Sequence, residues 1–176
     1  MRSTLVLPIV SLAGLALVGC STSPEAVRSD VAPATEAQRA ALLDRVASLK
    51  GTWKAASPEG EGTITYSVSS GGSSVREVMF PGEPHEMTNM YHMDGGTLVM
   101  THYCAIGNQP RLRATAQPGN TIDLRFDSVT NHHAGSHMMS GLKIVFVDEN
   151  HIKEVWSSMQ DGRLVEGPVI ELTRAN

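Results

Sequence analysis

Basic clusters, paired cysteines and a second long apolar run are all missing from this chain, and each absence excludes something. The 176 residues carry a formal net charge of −4 and contain no run of Lys or Arg. Neutralising a phosphate backbone needs clustered cations, so the composition argues against nucleic acid as a partner. Only two cysteines occur, Cys20 and Cys104. Past residue 19, no apolar stretch nears the roughly 20 residues that a helix needs to cross a bilayer. No CxxC, no HExxH and no evenly spaced His/Cys set is found, so the common short signatures of metal chemistry are lacking.

What is present begins at the N-terminus. Arg2 supplies one positive charge, and Leu5 to Val18 is then apolar or small apart from Ser11. That length and place suit the core of an export signal better than a membrane span. The run closes on Leu17-Val18-Gly19-Cys20, which resembles the lipobox of bacterial lipoproteins. The resemblance implies a signal peptide over residues 1–19, cleavage before Cys20, a diacylglyceryl thioether on its sulfur and an acylated amine. Several acyl chains give stable anchoring where one would be marginal. Ser21 rather than Asp follows Cys20; in a Gram-negative cell that resembles the signal for sorting to the outer membrane, facing the periplasm. With Cys20 so used, Cys104 has no partner for an intramolecular disulfide. It reads as a buried inert thiol or a free reactive one.

The remainder divides by its periodicity. Residues 20–34 are rich in Ser, Ala, Pro and acidic side chains and read as a flexible tether. Residues 35–50 predict a short helix, with Thr35 as its cap, Leu42, Leu43, Val46 and Leu49 as one apolar stripe, and Gly51 as its stop. From residue 51 to 176 the period becomes two, with turn signals such as Gly71-Gly72, Asp94-Gly95-Gly96 and Pro118-Gly119-Asn120 every eight to twelve residues. Connections so short join antiparallel neighbours. The chain therefore predicts an all-β domain of about ten strands in an up-and-down meander, closed into a barrel that leaves no free edge.

Gly51-Thr52-Trp53, opening the first strand after a short helix, resembles the Gly-x-Trp start of calycins: lipocalins, fatty-acid-binding proteins and ten-stranded nitrobindin-like barrels. The resemblance implies a calycin-like barrel. A second set of motifs, FPGEPHEM at 80–87, MYHMDG at 90–95, THYC at 101–104 and GNQPR at 107–111, resembles a group of bacterial proteins, many with export signals, that brings no established activity with it.

Candidate chemistry concentrates in the hairpin 85–105. A two-residue turn at Gly95-Gly96 pairs Asp94 with Thr97, Tyr91 with Met100, Asn89 with His102 and Met87 with Cys104. Met87, Asn89, Tyr91, Met93, Leu98, Met100, His102 and Cys104 then share one face, expected to be the barrel interior. Two readings of that face stay open. Met is an adaptable lining for cores and greasy cavities, which makes Met87, Asn89, Tyr91, Met100, His102 and Cys104 candidate pocket residues. Thioether, imidazole and thiolate are also ligands for Cu(I), Zn or haem iron. The metal set would draw on His92, His102 and Cys104 of the hairpin and on His132, His133 and His137 of a later loop, with Met138 and Met139 beside it. Neither a transition metal nor haem is firmly implied.

Arg111 and Arg113 share a strand face and could grip a carboxylate or phosphate; two solvated charges is the plainer reading. Glu154 and Trp156 share another, and with Arg111 they join the candidate pocket residues; Glu154 counts there if its face points inward, where it would need a partner such as Arg or His. Trp53 and Trp156 are the only tryptophans and more often anchor cores than stack on ligands. Glu77, Asp123, Arg125 and Asp127 alternate with apolar residues and read as solvent-facing. The functional expectation is a lipid-anchored envelope protein, non-catalytic, whose barrel binds a small, largely apolar ligand. The alternatives are metal or haem binding, and a structural lipoprotein with a solid barrel. A thiol enzyme built on Cys104 lacks a recognisable oxyanion hole and orienting acid.

Overall fold

The computed structural model describes residues 30–58 and 60–175; the lipobox and most of the expected tether lie outside the described residues. Two short helices, α1 (Glu36–Ala41) and α2 (Leu43–Ala47), precede ten strands: β1 (Gly51–Ser57), β2 (Gly60–Ser69), β3 (Ser74–Met79), β4 (Met87–Asp94), β5 (Thr97–Tyr103), β6 (Gln109–Thr115), β7 (Thr121–Thr130), β8 (Met138–Phe146), β9 (His151–Gln160) and β10 (Arg163–Arg174). Each strand pairs antiparallel with the next, and β1 pairs with both β2 and β10. The meander closes into a ten-stranded up-and-down barrel, compatible with a calycin-like one. Closure satisfies every strand edge, as short connections and period-two patterning require.

The register of β4 and β5 is the one that the Gly95-Gly96 turn dictates: Asp94 pairs with Thr97, Tyr91 with Met100 and Asn89 with His102. The expected inner face is the inner face. Asn89, Tyr91, Leu98, Met100 and His102 are buried, whereas His92 and Tyr103 of the opposite face are exposed. Bulges interrupt three ladders, between Arg111 and Leu112, between Met139 and Gly141, and between Glu166 and Val169. The last accommodates Pro168, which has no N–H to give a ladder. It also brings Gly167 to the Trp156 backbone, where a Cβ would stand 3.0 Å from the carbonyl carbon and oxygen.

The helical segment is broken rather than continuous, and shorter than expected. Thr35 and Gln38 form a reciprocal capping box at its start. At Leu42 the backbone leaves helical geometry (φ −119°, ψ −89°). The kink turns both Leu42 and Leu43 inward with Val46 and Leu49, and all four are at most 2% exposed. This apolar stripe stoppers one end of the barrel. Arg39 donates to the Gly72 carbonyl and Arg45 to that of Gly119, tying the helices to two turns of that end. Trp53 lies under the plug, its indole N–H 2.8 Å from the Leu49 carbonyl.

Candidate functional site

The barrel ends differ because the chain spends its helices on one of them. At the other, the β1–β2 turn, the β3–β4 loop, the start of the β5–β6 loop and the Pro168 bulge surround a cavity of about 460 Å³. Phe80, Met79, Met87, Met139, Ile170 and Trp156 provide most of its apolar wall, and His102 and Cys104 border it from β5 and the loop that follows. Gly62 allows Phe80 to lie against β2: a Cβ there would meet the Phe80 ring at 2.7 Å. Phe80 itself holds a left-handed backbone (φ 56°), a strained conformation for an aromatic residue. The Phe80–Met87 motif and the Cys104 end of the β5 motif thus meet at one mouth.

Beneath the cavity runs a belt of buried polar groups. Strand register places Tyr66 opposite Glu77, Glu77 opposite Asn89, and Asn89 opposite His102, one row across β2 to β5. Glu154 reaches the same level from β9. His102 Nδ1 is 2.6 Å from Asn89 Oδ1, and the Asn89 amide donates to Glu77 Oε2 at 2.8 Å. Since Asn89 uses its NH₂ on Glu77, its oxygen must accept, and His102 must carry its proton on Nδ1. Nε2 is then a bare lone pair with no partner among the described residues. Burial pushes the His102 imidazole down to about 4, so the ring is neutral at ordinary pH.

The two carboxyls complete the belt. Tyr91 donates to Glu77 Oε2 at 2.6 Å. Tyr66 donates to Glu154 Oε1 at 2.5 Å, and the Trp156 indole N–H to Oε2 at 3.2 Å. Glu77 Oε1 has no hydrogen-bond partner among the described residues, and the Glu154 charge bears on the Glu77 carboxyl. Two carboxylates cannot bond each other, so one proton is shared between them. Glu77 Oε1 is the one oxygen of the pair that accepts from no donor among the described residues, so a proton placed there displaces no hydrogen bond. Burial, then the Glu154 charge, push Glu77 well above the usual carboxyl range; burial also raises Glu154, against the donors Tyr66 and Trp156. The same desolvation and carboxylates push the Tyr66 and Tyr91 phenols up.

The structure sorts the expected site residues into three places. Met87, His102, Cys104 and Trp156 line the cavity. Asn89, Tyr91, Met100 and Glu154 are buried in the barrel interior away from the cavity wall. Arg111 is not a pocket residue: it stands exposed on the outer surface, and Arg113 on the same face is held by Asp94 and Asp127 at 2.7 and 3.0 Å. The metal set is also divided. His92 faces outward near Arg111, and His132, His133 and His137 are exposed on the β7–β8 loop. No group of three or more His, Cys, Asp or Glu placed to hold a metal occurs among the described residues. Met138 and Met139 belong to β8 rather than to the loop. Glu154 does point inward, but its partners are Tyr66, Trp156 and Glu77 rather than a cation. Glu77 corrects the reading outright: it is 0% exposed, not solvent-facing.

The neutral buried imidazole makes stability depend on acid. His102 titrates near 4 in the fold and near 6.5 unfolded. Between those values the unfolded chain binds more protons, so its contribution is intact above pH 6.5 and is lost as pH falls to 4. We expect the stability advantage of wild type over His102→Gln to shrink by about 3 kcal/mol between pH 7 and pH 4. Denaturant titrations of both proteins across that window measure it, and a constant difference would refute the neutral assignment.

No protein-family model matches the sequence, and no curated protein is similar to it. The functional reading therefore rests on the site.

Proposed function

We propose that this is a lipid-anchored envelope protein whose barrel binds a small, largely apolar ligand without transforming it. The carrying observation is the 460 Å³ cavity at the unplugged end, walled by Met79, Met87, Met139, Phe80, Ile170 and Trp156. Its volume lies in the range of small-molecule sites, and its lining, mainly apolar with a few polar groups, has their usual make-up. A solid structural barrel would have filled that space with side chains, as the helix end does with Leu42, Leu43 and Val46. The membrane is the proposed partner, through Cys20, with no nucleic acid involved.

Two measurements test the two halves of this reading. Cys20→Ala should shift the protein from the membrane fraction to the soluble or uncleaved pool and remove the acyl mass from the N-terminal peptide. An unchanged distribution would sink the anchor. Native mass spectrometry of the full chain, purified from envelopes without chelators, should show an organic mass bound to the barrel. A stoichiometric metal or haem mass would instead favour coordination by His102 and Cys104, which both border the cavity.

A further inference from the structure

The cavity has a polarity that its apolar wall does not announce. No Lys or Arg is among the described residues that line it, whereas Glu61 and Glu83 stand exposed at its mouth with His85 as the one titratable base beside them among the described lining residues. A carboxylate or phosphate entering here would meet like charge at the rim and no cation below. Arg111 and Arg113, the cations that could have received one, are on the outside of the barrel. At the inner end, His102 borders the cavity with its ring tilted against Trp156, centroids 5.1 Å apart. Its Nδ1–H is consumed by Asn89, whose amide is in turn consumed by Glu77, itself fixed by Tyr91. That chain of bonds permits one tautomer only, and it leaves Nε2 as an acceptor. Sulfur and ring atoms of Met87, Met139 and Trp156 surround the same space. An acceptor set in such a wall rewards one donor and penalises its absence. A full charge there would be stripped of water with no counter-ion beside it.

We infer that the pocket selects an uncharged apolar molecule carrying one hydrogen-bond donor, an O–H or aromatic N–H held by His102 Nε2, and rejects the anionic amphiphiles that an apolar barrel would otherwise take. This rests on the ligand-binding reading above, and the test separates the two. Three probes share one ring body: 2-naphthol offers a donor, 2-methoxynaphthalene offers none, and 2-naphthoate is an anion. Binding of each to the full-length lipoprotein in lipid nanodiscs would be measured by equilibrium dialysis at pH 7, with empty nanodiscs subtracting partition into lipid. Burial alone would favour the methoxy compound, which has one more carbon. We expect the reverse, with 2-naphthol binding about tenfold tighter than 2-methoxynaphthalene, and 2-naphthoate at least as weakly as the latter. In His102→Leu the preference for naphthol over its ether should collapse to within about twofold while the ether still binds. Equal binding of all three by wild type, or tightest binding of the naphthoate, overturns the selection while leaving a ligand pocket standing. No binding by any of them overturns the pocket and the selection together. The wild-type ratios decide the matter even where the leucine variant fails to fold.

Discussion

Glu77→Gln should make the protein more stable than wild type above neutral pH, whereas Glu154→Gln should cripple it at every pH. The two carboxyls are neighbours in one buried pair, yet their surroundings assign them opposite roles. Glu77 is the member of the pair placed to be the neutral acid: Oε2 accepts from Asn89 and Tyr91, Oε1 accepts from no donor among the described residues, and burial with the Glu154 charge raises the carboxyl. A Gln amide fits that pattern, its oxygen accepting from Asn89 and Tyr91 and its uncharged NH₂ standing where Oε1 has no donor. Glu154 is the acceptor of the pair, with Tyr66 on one oxygen and Trp156 on the other. Turned toward Trp156, the NH₂ of the Glu154→Gln variant meets an N–H that can only donate; turned toward Tyr66, it uses the phenol oxygen as acceptor and leaves the phenol proton without its carboxylate. The loss of one or two buried acceptors predicts a cost of about 2–4 kcal/mol.

The pH dependence has a definite sign. Burial and the Glu154 charge raise the folded-state Glu77 carboxyl above its ordinary value of 4.5. A group raised in this way contributes stability at low pH and loses it as pH climbs through the folded value. Wild type should therefore weaken relative to Glu77→Gln from pH 4.5 upward, by up to about 1.4 kcal/mol per pH unit until the folded group ionises. Urea unfolding of wild type and both variants at pH 5, 7 and 8.5 measures this. Equal destabilisation by the two substitutions, flat with pH, would mean that no proton is shared. Since His102 acts with the opposite sign below pH 6.5, the decisive comparison is above it.

This pair also marks where the sequence stops being legible. The ten strands and the β4–β5 register could be read because hydrophobic alternation and turn residues act locally: Gly95-Gly96 fixes the pairing of Asn89 with His102 whatever the remaining strands do. Glu77 illustrates the failure. It alternates between Val75 and Met79, the face that proves buried, but Ser74, Arg76 and Val78 on the other face are mixed as well. A charge on an ambiguous strand reads as solvated because burying it alone is costly. The compensation lies 14 residues on at Tyr91 and, through β9, at Glu154, and it exists only once the barrel has closed. Glu154 carries a usable signal, since Ile152, Trp156 and Ser158 share its face and are buried with it. A cation is the expected partner only for a carboxylate standing alone. A protonated neighbour removes that need. Arg111 misleads for the converse reason: a pair of arginines two apart looks like a ligand fork, whereas Arg113 serves Asp94 and Asp127 on the outer wall.

The second large effect belongs to the plugged end. Trp53 is 0% exposed, with Arg174 lying 4.3 Å over its ring and Leu49 accepting its indole N–H. Arg174 also donates to the carbonyls of Ser48 and Lys50, so the indole and the last strand clasp the end of the helical segment between them. Trp53→Ala removes the ring that the helices rest on and should cost about 3–5 kcal/mol, which for a domain of this size lowers the melting temperature by about 10 °C. Trp53→Phe keeps most of the packing and the guanidinium contact but abandons the bond to Leu49, for about 1–2 kcal/mol. Because the cavity is walled by other residues at the opposite end, neither substitution should change the affinity for an apolar probe in protein that is still folded. Thermal unfolding combined with 2-naphthol dialysis on the three proteins reads both quantities. A melting loss with unchanged affinity would mean that one end of the barrel supplies stability and the other supplies recognition. Parallel losses of both would show the interior to be one coupled unit, in which the buried carboxyl belt transmits the loosening of the plug to the floor of the pocket.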